Sequence, residues 1–516
     1  MKRLTVVLMI LAMTTPALAE PGIHVVKEPG KIATLKDLEA ELPEGMGTFR
    51  FYGKERFRWS FWDYAQSAPF NNEYDYFSNQ LRLGSRFENS LFKAHAAWQY
   101  TSLWNLPTGS SAGAGAGASY FSNGILENNS HATYLKYLEL TLKDIFGVGF
   151  SPTIGRFEYS SGYQYKTGQG LTDKKTEGDT PEAKRLDWLK SKRIAERVIG
   201  GFDWSEYQRS FDGIKASWDT QPVNLSVAAM SPTQGGFEEK AGSGIEDIRI
   251  VATEFTIKKD RLLTGTELQF FHYHYEDARL LTVGAARPDN TARVAAAGLE
   301  NDINLDMVGG HVAGALALGD GILDVLFWGG WQTGEWFELD HDAYALAAEV
   351  GYQWNTLPWK PWVRGGYDLA SGDGSASDTS HDTFYPMLPT ARLYSSSILY
   401  SSMNLEDIFL TLTVKPCSVI SVKTDAHFLS LAERSDRWYL GSGPMNRNKL
   451  TDYTTRSSNG NDDLGILWDL TMTWDIHPDT TISAYYGHLF GGDVVQSFYT
   501  GQKDVNFFYL ELAVNF

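Results

Sequence analysis

Basic side chains at alternate positions are the residues of this sequence whose types and spacing best suit a chemical role. In the segment 48–61, Arg50, Arg56 and Arg58 alternate with aromatic residues, so a strand would place these cations on one face. A guanidinium group binds a carboxylate through two parallel hydrogen bonds. A series of such groups attracts anions yet leaves each site weak enough to release them. The candidate basic residues are Arg50, Lys54, Arg56, Arg58, Arg82, Arg86, Lys93, Arg156, Lys215, Arg364 and Lys423.

The same cations also have a structural interpretation. Acidic residues occur in the same segments and could neutralise the cations within one wall, which would brace the wall without selecting a solute. These acidic residues are Glu88, Glu139, Glu158, Glu254, Asp469 and Glu511. The sequence leaves both interpretations open.

Both interpretations require strands, and the period of a strand is clear along most of the chain. In the segment 463–476, Leu464 and Trp468 fall on one side of an extended chain. Asp469 falls on the other side, with Leu467 as an exception. The candidate strands are 48–61, 78–88, 92–102, 133–142, 150–163, 209–218, 224–231, 248–257, 264–276, 304–317, 322–334, 343–354, 361–370, 404–415, 419–432, 463–476, 481–490 and 504–516.

The connections between these segments differ in length in a regular way. Short turns, such as 89–91 and 477–480, alternate with long polar loops. The loops 166–208, 277–303 and 372–402 all have the same parity, which is typical of outer-membrane barrels. The sequence therefore predicts an all-β chain, a single transmembrane antiparallel β-barrel of about 18 strands with long extracellular loops and short periplasmic turns.

The bilayer determines which face of each strand points outward. A charged side chain on the lipid face costs about 2–4 kcal/mol near the midplane, so we expect the basic faces to line an aqueous lumen. The last strand alternates apolar residues up to Phe516, an ending that resembles the signal read by the outer-membrane assembly machinery. That machinery is an expected partner, together with outer-membrane lipid and lipopolysaccharide.

The first residues have the layout of a secretory signal. Lys2 and Arg3 precede an apolar run, and Ala17 and Ala19 frame a cleavage point. The apolar run is about ten residues long, which is too short for a membrane-spanning helix. The predicted organisation is a signal peptide over 1–19 that is cleaved near Ala19, a short periplasmic lead-in over 20–46 and the outer-membrane barrel over 47–516.

Composition narrows the classes of partner. The chain has 45 Lys and Arg residues against 63 Asp and Glu residues, a net charge of -18, which argues against nucleic acid as a partner. Cys417 is the single cysteine, so no intramolecular disulfide forms. Asp368, Asp373, Asp378 and Asp382 offer oxygen ligands but lack the spacing of a calcium-binding hand. No metal and no cofactor are predicted, and nothing requires more than a monomer.

Short motifs are spread over most of the mature chain. They are Gly155-Arg156, Arg197-Val198-Ile199-Gly200, Asp203-Trp204, Arg209-Ser210-Phe211-Asp212-Gly213, Ala370-Ser371-Gly372-Asp373, Thr383-Phe384-Tyr385-Pro386, Leu388-Pro389-Thr390, Asp436-Arg437-Trp438-Tyr439, Leu464-Gly465 with Asp469, and Tyr486-Gly487-His488-Leu489-Phe490-Gly491. In order and spacing these motifs resemble the alginate-export family of outer-membrane porins. The sequence departs from the family in a Lys- and Arg-rich, helix-like segment from Glu182 to Arg197 and in Glu158 beside Arg156.

The resemblance implies a barrel in the outer membrane of a Gram-negative cell. Its implied function is passive export or uptake of an anionic solute through a basic lumen, with uronate-containing saccharides such as alginate as the named cargo, and no enzymatic activity. Two alternatives stay open. The first is a barrel enzyme acting on lipid or glycan through His272 or His274, although no serine lies in a nucleophile motif. The second is a structural or adhesive barrel whose lumen is closed by its loops.

Overall fold

A computed structural model describes most of the chain. The described residues are 22–25, 38–41, 46–67, 72–108, 115–166, 180–279, 303–337, 339–390, 392–449 and 453–516. The signal peptide predicted over 1–19 lies outside them. Within the predicted lead-in, Gly22–Val25 and Leu38–Glu41 form a short antiparallel pair, and Leu38–Glu41 also pairs with the start of the first barrel strand.

Eighteen antiparallel strands form one closed sheet. They are β1 Thr48–Asp63, β2 Glu73–Glu88, β3 Phe92–Trp104, β4 Ser130–Leu142, β5 Phe150–Phe157, β6 Phe211–Asp219, β7 Val223–Pro232, β8 Ile248–Ile257, β9 Thr266–Asp277, β10 Ile303–Leu318, β11 Gly321–Trp336, β12 Leu339–Trp354, β13 Trp362–Ala370, β14 Leu405–Cys417, β15 Ile420–Ser430, β16 Asp463–His477, β17 Thr480–Gly491 and β18 Val505–Asn515. The sheet closes where β18 pairs with β1, with Tyr509 opposite Ser60. Closure removes the sheet edge, as a structure exposed to lipid requires, and it confirms the predicted fold and strand number.

The remaining elements lie in the connections. They are the helices α1 Gly115–Tyr120, α2 Pro181–Leu189 and α3 Asp493–Phe498, the π-helical turns Phe121–Ile125 and Lys190–Ile194, and the short strands Ser380–His381, Arg437–Leu440 and Thr454–Ser457. No helix among the described residues is long and apolar enough to cross a membrane.

Connection lengths alternate as the sequence predicts. Turns after even-numbered strands are short, such as 89–91 after β2 and 478–479 after β16. Connections after odd-numbered strands include the long loops 158–210 after β5 and 371–404 after β13. The connection after β11 is an exception, because only residues 337–338 separate it from β12. Strand β5 ends at Phe157, earlier than predicted, because the chain turns into the barrel there.

Exposure alternates along the strands, apolar outward, with one correction on β16. Trp468 and Trp474 are exposed on the outer face, and Leu467 is buried inside. Leu464 is also buried, so the prediction that it shares the outer face with Trp468 is wrong. The cause is a β-bulge at Gly465, which has a φ of 123° and shifts the pairing with β15.

The apolar core lies inside the barrel, between the wall and the loops that fold inward. Leu186 and Val198 from residues 158–210 and Leu388 from residues 371–404 pack with wall residues such as Phe271 and Trp328. A barrel of this width is not filled by its wall side chains, so the two loops supply the missing packing. We call the described residues of the first of these connections, 158–166 and 180–210, the inner loop.

Gly465→Val should destabilise the barrel. The φ of Gly465 is unfavourable for residues with a side chain, and an added Cβ would lie 2.1 Å from the carbonyl oxygen of Phe490, so we expect a loss of about 1–3 kcal/mol. The measurement is urea unfolding, followed by the heat-modifiable mobility of the folded barrel on gels. Gly374→Ala is the control, because its Cβ would meet nothing closer than 3.9 Å. Equal urea midpoints for the two variants would contradict a required bulge.

Candidate functional site

Charged side chains inside the barrel are largely grouped by sign, although Arg364 lies on β13 and the carboxylates Glu88 and Glu139 lie on β2 and β4. The basic wall is formed by the inward faces of β1–β4 and β6, with Arg50, Lys54, Arg56, Arg58, Arg82, Arg86, Lys93, Lys136 and Lys215. The acidic wall is formed by strands β8, β9 and β11–β13, with the buried residues Glu254, Glu267, Asp324, Glu349 and Asp368. The inner loop lies between the two walls and contacts both.

The helical part of the inner loop begins with a standard cap. Thr180 accepts a hydrogen bond from the backbone N–H of Ala183 at 3.1 Å, and Pro181 occupies the first turn. The helix α2 continues through the π-helical turn to Ile194, which is buried. This segment is the Lys- and Arg-rich, helix-like stretch that the sequence singled out.

Basic residues of the inner loop neutralise the acidic wall one pair at a time. The pairs are Arg185–Asp324 at 2.7 Å, Lys190–Glu267 at 2.5 Å, Arg193–Glu349 at 3.4 Å and Arg197–Asp368 at 2.7 Å. All eight side chains are at most 9% exposed. Glu254 is instead hydrogen-bonded by the hydroxyls of Tyr159 and Tyr273. The acidic wall therefore presents little free negative charge to a solute.

Arg364 belongs to this neutralised region. It was expected to line the conduction path, but it is 1% exposed and bonds Asp324 and Glu349. Its guanidinium therefore neutralises carboxylates of the acidic wall and is too buried to contact a passing solute.

Several side chains of the basic wall donate hydrogen bonds to neutral acceptors. Arg56 donates to the backbone carbonyls of residues 203–205 at 2.9–3.1 Å. Arg82 donates to the side chains of Gln99, Tyr137 and Gln208. Lys136 is 1% exposed and donates to the carbonyl of Arg209 at 2.6 Å. A carbonyl or amide orients a cation without cancelling its charge, so Arg82 keeps its positive charge in this wall.

Glu206 is an acidic residue of the inner loop that is buried against the basic wall. It is 0% exposed, and its carboxylate lies 2.8 Å from a nitrogen of Arg56 and 2.9 Å from one of Arg58. Burial opposes its charged form, but Arg56 and Arg58 outweigh this and hold the pKa of Glu206 below its usual value. Arg58 also bonds Glu511 at 2.6 Å.

A cavity of about 820 Å³ opens at the periplasmic ends of β1–β4. We call it the vestibule. Its charged lining comprises the cations Arg50, Arg86, Lys93, Lys166 and Lys215 and the carboxylates Glu88, Glu139 and Glu158. Tyr52, His95 and Tyr163 add flat rings, and the guanidinium of Arg86 lies 4.9 Å from the Tyr52 ring centre. The vestibule thus combines a positive excess with aromatic surface.

Three of the predicted residues, Lys54, Lys423 and Arg156, lie outside the vestibule lining. Lys54 lies on the basic wall and is exposed. Lys423 lies on β15, 2.9 Å from Asp425. Arg156 does not line the lumen: its register partner Leu138 and its neighbour Ile154 are exposed on the outer face, and it forms a two-bond ion pair with Asp212.

The structural interpretation, in which the candidate cations pair with carboxylates of the wall, holds for some of the cations. The candidate cations and carboxylates form the ion pairs Lys93–Glu88 at 3.3 Å, Lys215–Glu139 at 3.8 Å, Arg58–Glu511 at 2.6 Å and Arg56–Glu511 at 3.9 Å. Asp469 instead accepts a hydrogen bond from Tyr485, and the carbonyl of Glu158, not its carboxylate, contacts Lys215. Bracing and an open basic surface therefore coexist on one wall.

The two other candidate sites are the aspartate group in residues 368–382 and the histidine pair His272 and His274. Asp368 pairs with Arg197, while Asp373 bonds the N–H of Ser375, and no group of three or more ligating residues among those described is arranged to hold a metal ion. His272 and His274 both contact Asp306. Both lie on the outward parity of β9, opposite the lumen, where His272 is exposed and His274 is partly exposed.

Sequence reasoning missed the residues by which the loops meet the basic wall. Glu206, Lys136 and Arg392 were not singled out, because only tertiary packing brings them to the lumen. Trp204 belongs to the Asp203-Trp204 motif quoted above, and its ring contacts the guanidinium of Arg58. That motif was the feature of the sequence that could have indicated a contact between residues near Glu206 and the basic wall.

Comparisons with known proteins agree with this architecture. A family model described as alginate export matches residues 185–504. OpdK from Pseudomonas aeruginosa aligns with a TM-score of 0.51 and 8% identity, covering 90% of this chain and 98% of that chain. OccK2 (OpdF) from the same organism aligns with a TM-score of 0.53 and 8% identity, covering 90% and 97%. At this identity the two structures share the fold alone. No curated protein matches the chain in sequence.

The family match and the barrel carry the assignment together. Residues 185–504 make up more than half of the chain, and the closed eighteen-stranded sheet is the architecture of the outer-membrane channels that align with it. The chain is therefore an outer-membrane β-barrel that belongs to the alginate export family.

Proposed function

We propose that this porin-like barrel conducts anionic solutes across the outer membrane, with uronate-containing saccharides as the favoured class. The observation that carries the proposal is that the charges of the acidic wall are compensated more completely than the charges of the basic wall. The acidic wall is neutralised by basic side chains of the inner loop. The cations of the basic wall outnumber the carboxylates that pair with them, Glu88, Glu139, Glu206 and Glu511, and Arg82 is held by amides and a hydroxyl. The resulting field along the lumen is positive and favours anions.

The vestibule supports the same solute class from the periplasmic side. Its five cations face three carboxylates, which leaves a positive excess of two at the mouth. Arginine suits carboxylates because its planar group forms paired hydrogen bonds. The rings of Tyr52 and Tyr163 offer flat surfaces on which the apolar face of a sugar can pack. A uronate residue presents both features, a carboxylate and a ring.

The solved structures suggest a practical probe. OccK2 has been solved in complex with glucuronate and OpdK with vanillate, and both compounds are carboxylates. Glucuronate and its oligomers are therefore suitable first solutes for this chain.

Arg50→Gln combined with Arg86→Gln should reduce the anion preference of the pore. Both side chains are exposed in the vestibule, and their removal leaves three cations against three carboxylates. We expect the chloride-to-potassium permeability ratio to fall about two- to fivefold, as measured by reversal potentials in a salt gradient across planar bilayers. Arg249→Gln is the control, since Arg249 pairs with Glu276 on the outer face. A double variant that keeps the wild-type ratio would argue against the vestibule as the source of selectivity.

Arg197→Gln should both destabilise the barrel and shift its selectivity towards cations. The substitution leaves Asp368 buried without its cation, which costs about 3–5 kcal/mol. Adding Asp368→Asn should recover most of the stability and the anion preference, because the site is then neutral. Urea unfolding and reversal potentials measure the two effects. If the double variant is no more stable than Arg197→Gln alone, this ion pair does not hold the inner loop.

A further inference from the structure

The pocket that holds the Glu206 side chain is built by the barrel wall. One carboxylate oxygen accepts a hydrogen bond from Arg56 at 2.8 Å. The other accepts from Arg58 at 2.9 Å and from the hydroxyl of Ser78 at 2.9 Å. These donors come from β1 and β2, and the inner loop contributes the carboxylate. Such a set of charged and hydroxyl donors recognises a carboxylate whatever molecule carries it.

The backbone around Glu206 is held independently of its side chain. Its carbonyl oxygen accepts hydrogen bonds from Gln80, Gln99 and Thr101 at 2.6–3.1 Å. Its backbone N–H donates to the hydroxyl of Tyr120 at 2.7 Å. The carboxylate can therefore leave the pocket by rotation about side-chain bonds, without detachment of the inner loop.

Arg392, in residues 371–404, adds a positive charge that nearby carboxylates do not offset. Its guanidinium carbon lies 3.1 Å from the ring centre of Trp204, and that of Arg58 lies 4.2 Å from the same ring. Its three guanidinium nitrogens are buried and have no hydrogen-bond acceptor among the described residues. Burial lowers the pKa of Arg392 to about 9, and the charge of Arg58 adds to the effect.

The local charges explain why an additional anion is favourable here. Glu206 and Glu511 offset Arg56 and Arg58 through the ion pairs between them. Arg392 is then the surplus cation, and a buried cation without an acceptor is unfavourable. A second carboxylate near the pocket would offset it.

We infer that the Glu206 pocket is a carboxylate subsite for the transported solute, which the chain's own Glu206 fills when no solute is bound. An arriving uronate carboxylate takes the place of Glu206 between Arg56 and Arg58, and the Glu206 side chain rotates away. Arg392 supplies the positive charge that balances the additional carboxylate. The inference rests on the proposed function, because it takes the solute to be an anion.

Glu206→Gln tests the inference directly, because it removes the competing charge and preserves the shape of the side chain. In planar bilayers we expect the half-blocking concentration of digalacturonate to fall about tenfold, and that of the neutral disaccharide maltose to stay unchanged. Glu246→Gln is the matched control, since Glu246 is an exposed acidic residue that pairs with Arg447 at 3.3 Å. An unchanged or weaker digalacturonate block in folded Glu206→Gln overturns the inference.

Arg392→Gln gives an independent test should Glu206→Gln not fold. We expect it to weaken the digalacturonate block about tenfold and to raise the urea midpoint, because the surplus buried cation is gone. Loss of stability with an unchanged block would overturn the inference.

Reversal potentials of the wild type separate the carboxylate subsite from the proposed function. An anion-selective wild type with variants that leave the block unchanged rejects the subsite alone, whereas a cation-selective wild type rejects the proposed function.

Discussion

Ion pairing between the inner loop and the acidic wall is the interaction on which the interior of this barrel depends. Four cations of the inner loop meet four carboxylates on β9 and β11–β13, all of them buried. Neither set is tolerable inside without the other, because an unpaired buried charge is strongly unfavourable. Once these pairs form, the loop lies across the lumen, and its apolar residues complete the core that the wall cannot fill by itself.

The same loop gives the lumen its polarity. A barrel wall with both signs of charge would have no net preference if both sides were equally exposed. Here the loop covers the acidic side with cations and meets the basic side mostly through backbone carbonyls. Amide and hydroxyl groups fix the position of Arg82 and leave its charge in place. The vestibule extends this positive surface to the periplasmic mouth.

The strands could be predicted from the sequence because they depend on a local, periodic pattern of residues. Each of the eighteen strands overlaps its predicted segment, because the alternation of lipid-facing and lumen-facing residues is written into every strand. The prediction failed at Leu464, where a bulge at Gly465 reverses the alternation. For the site, parity identified Arg56, Arg58 and Arg82 as inward, but it also selected Arg156, which faces outward, and Arg364, which is fully engaged with acidic residues.

The sequence by itself determined the barrel, its connection lengths, the face of most strands and the presence of an Arg- and Lys-rich segment from Glu182 to Arg197. These features depend on the spacing of neighbouring residues, which is visible along the chain. Only the tertiary structure decided which cations remain charged towards a solute, because that depends on partners far away in the chain, such as Arg58 with Glu206 and Arg197 with Asp368. Charge compensation acts between residues that the closed barrel brings together, and no spacing in the sequence records it.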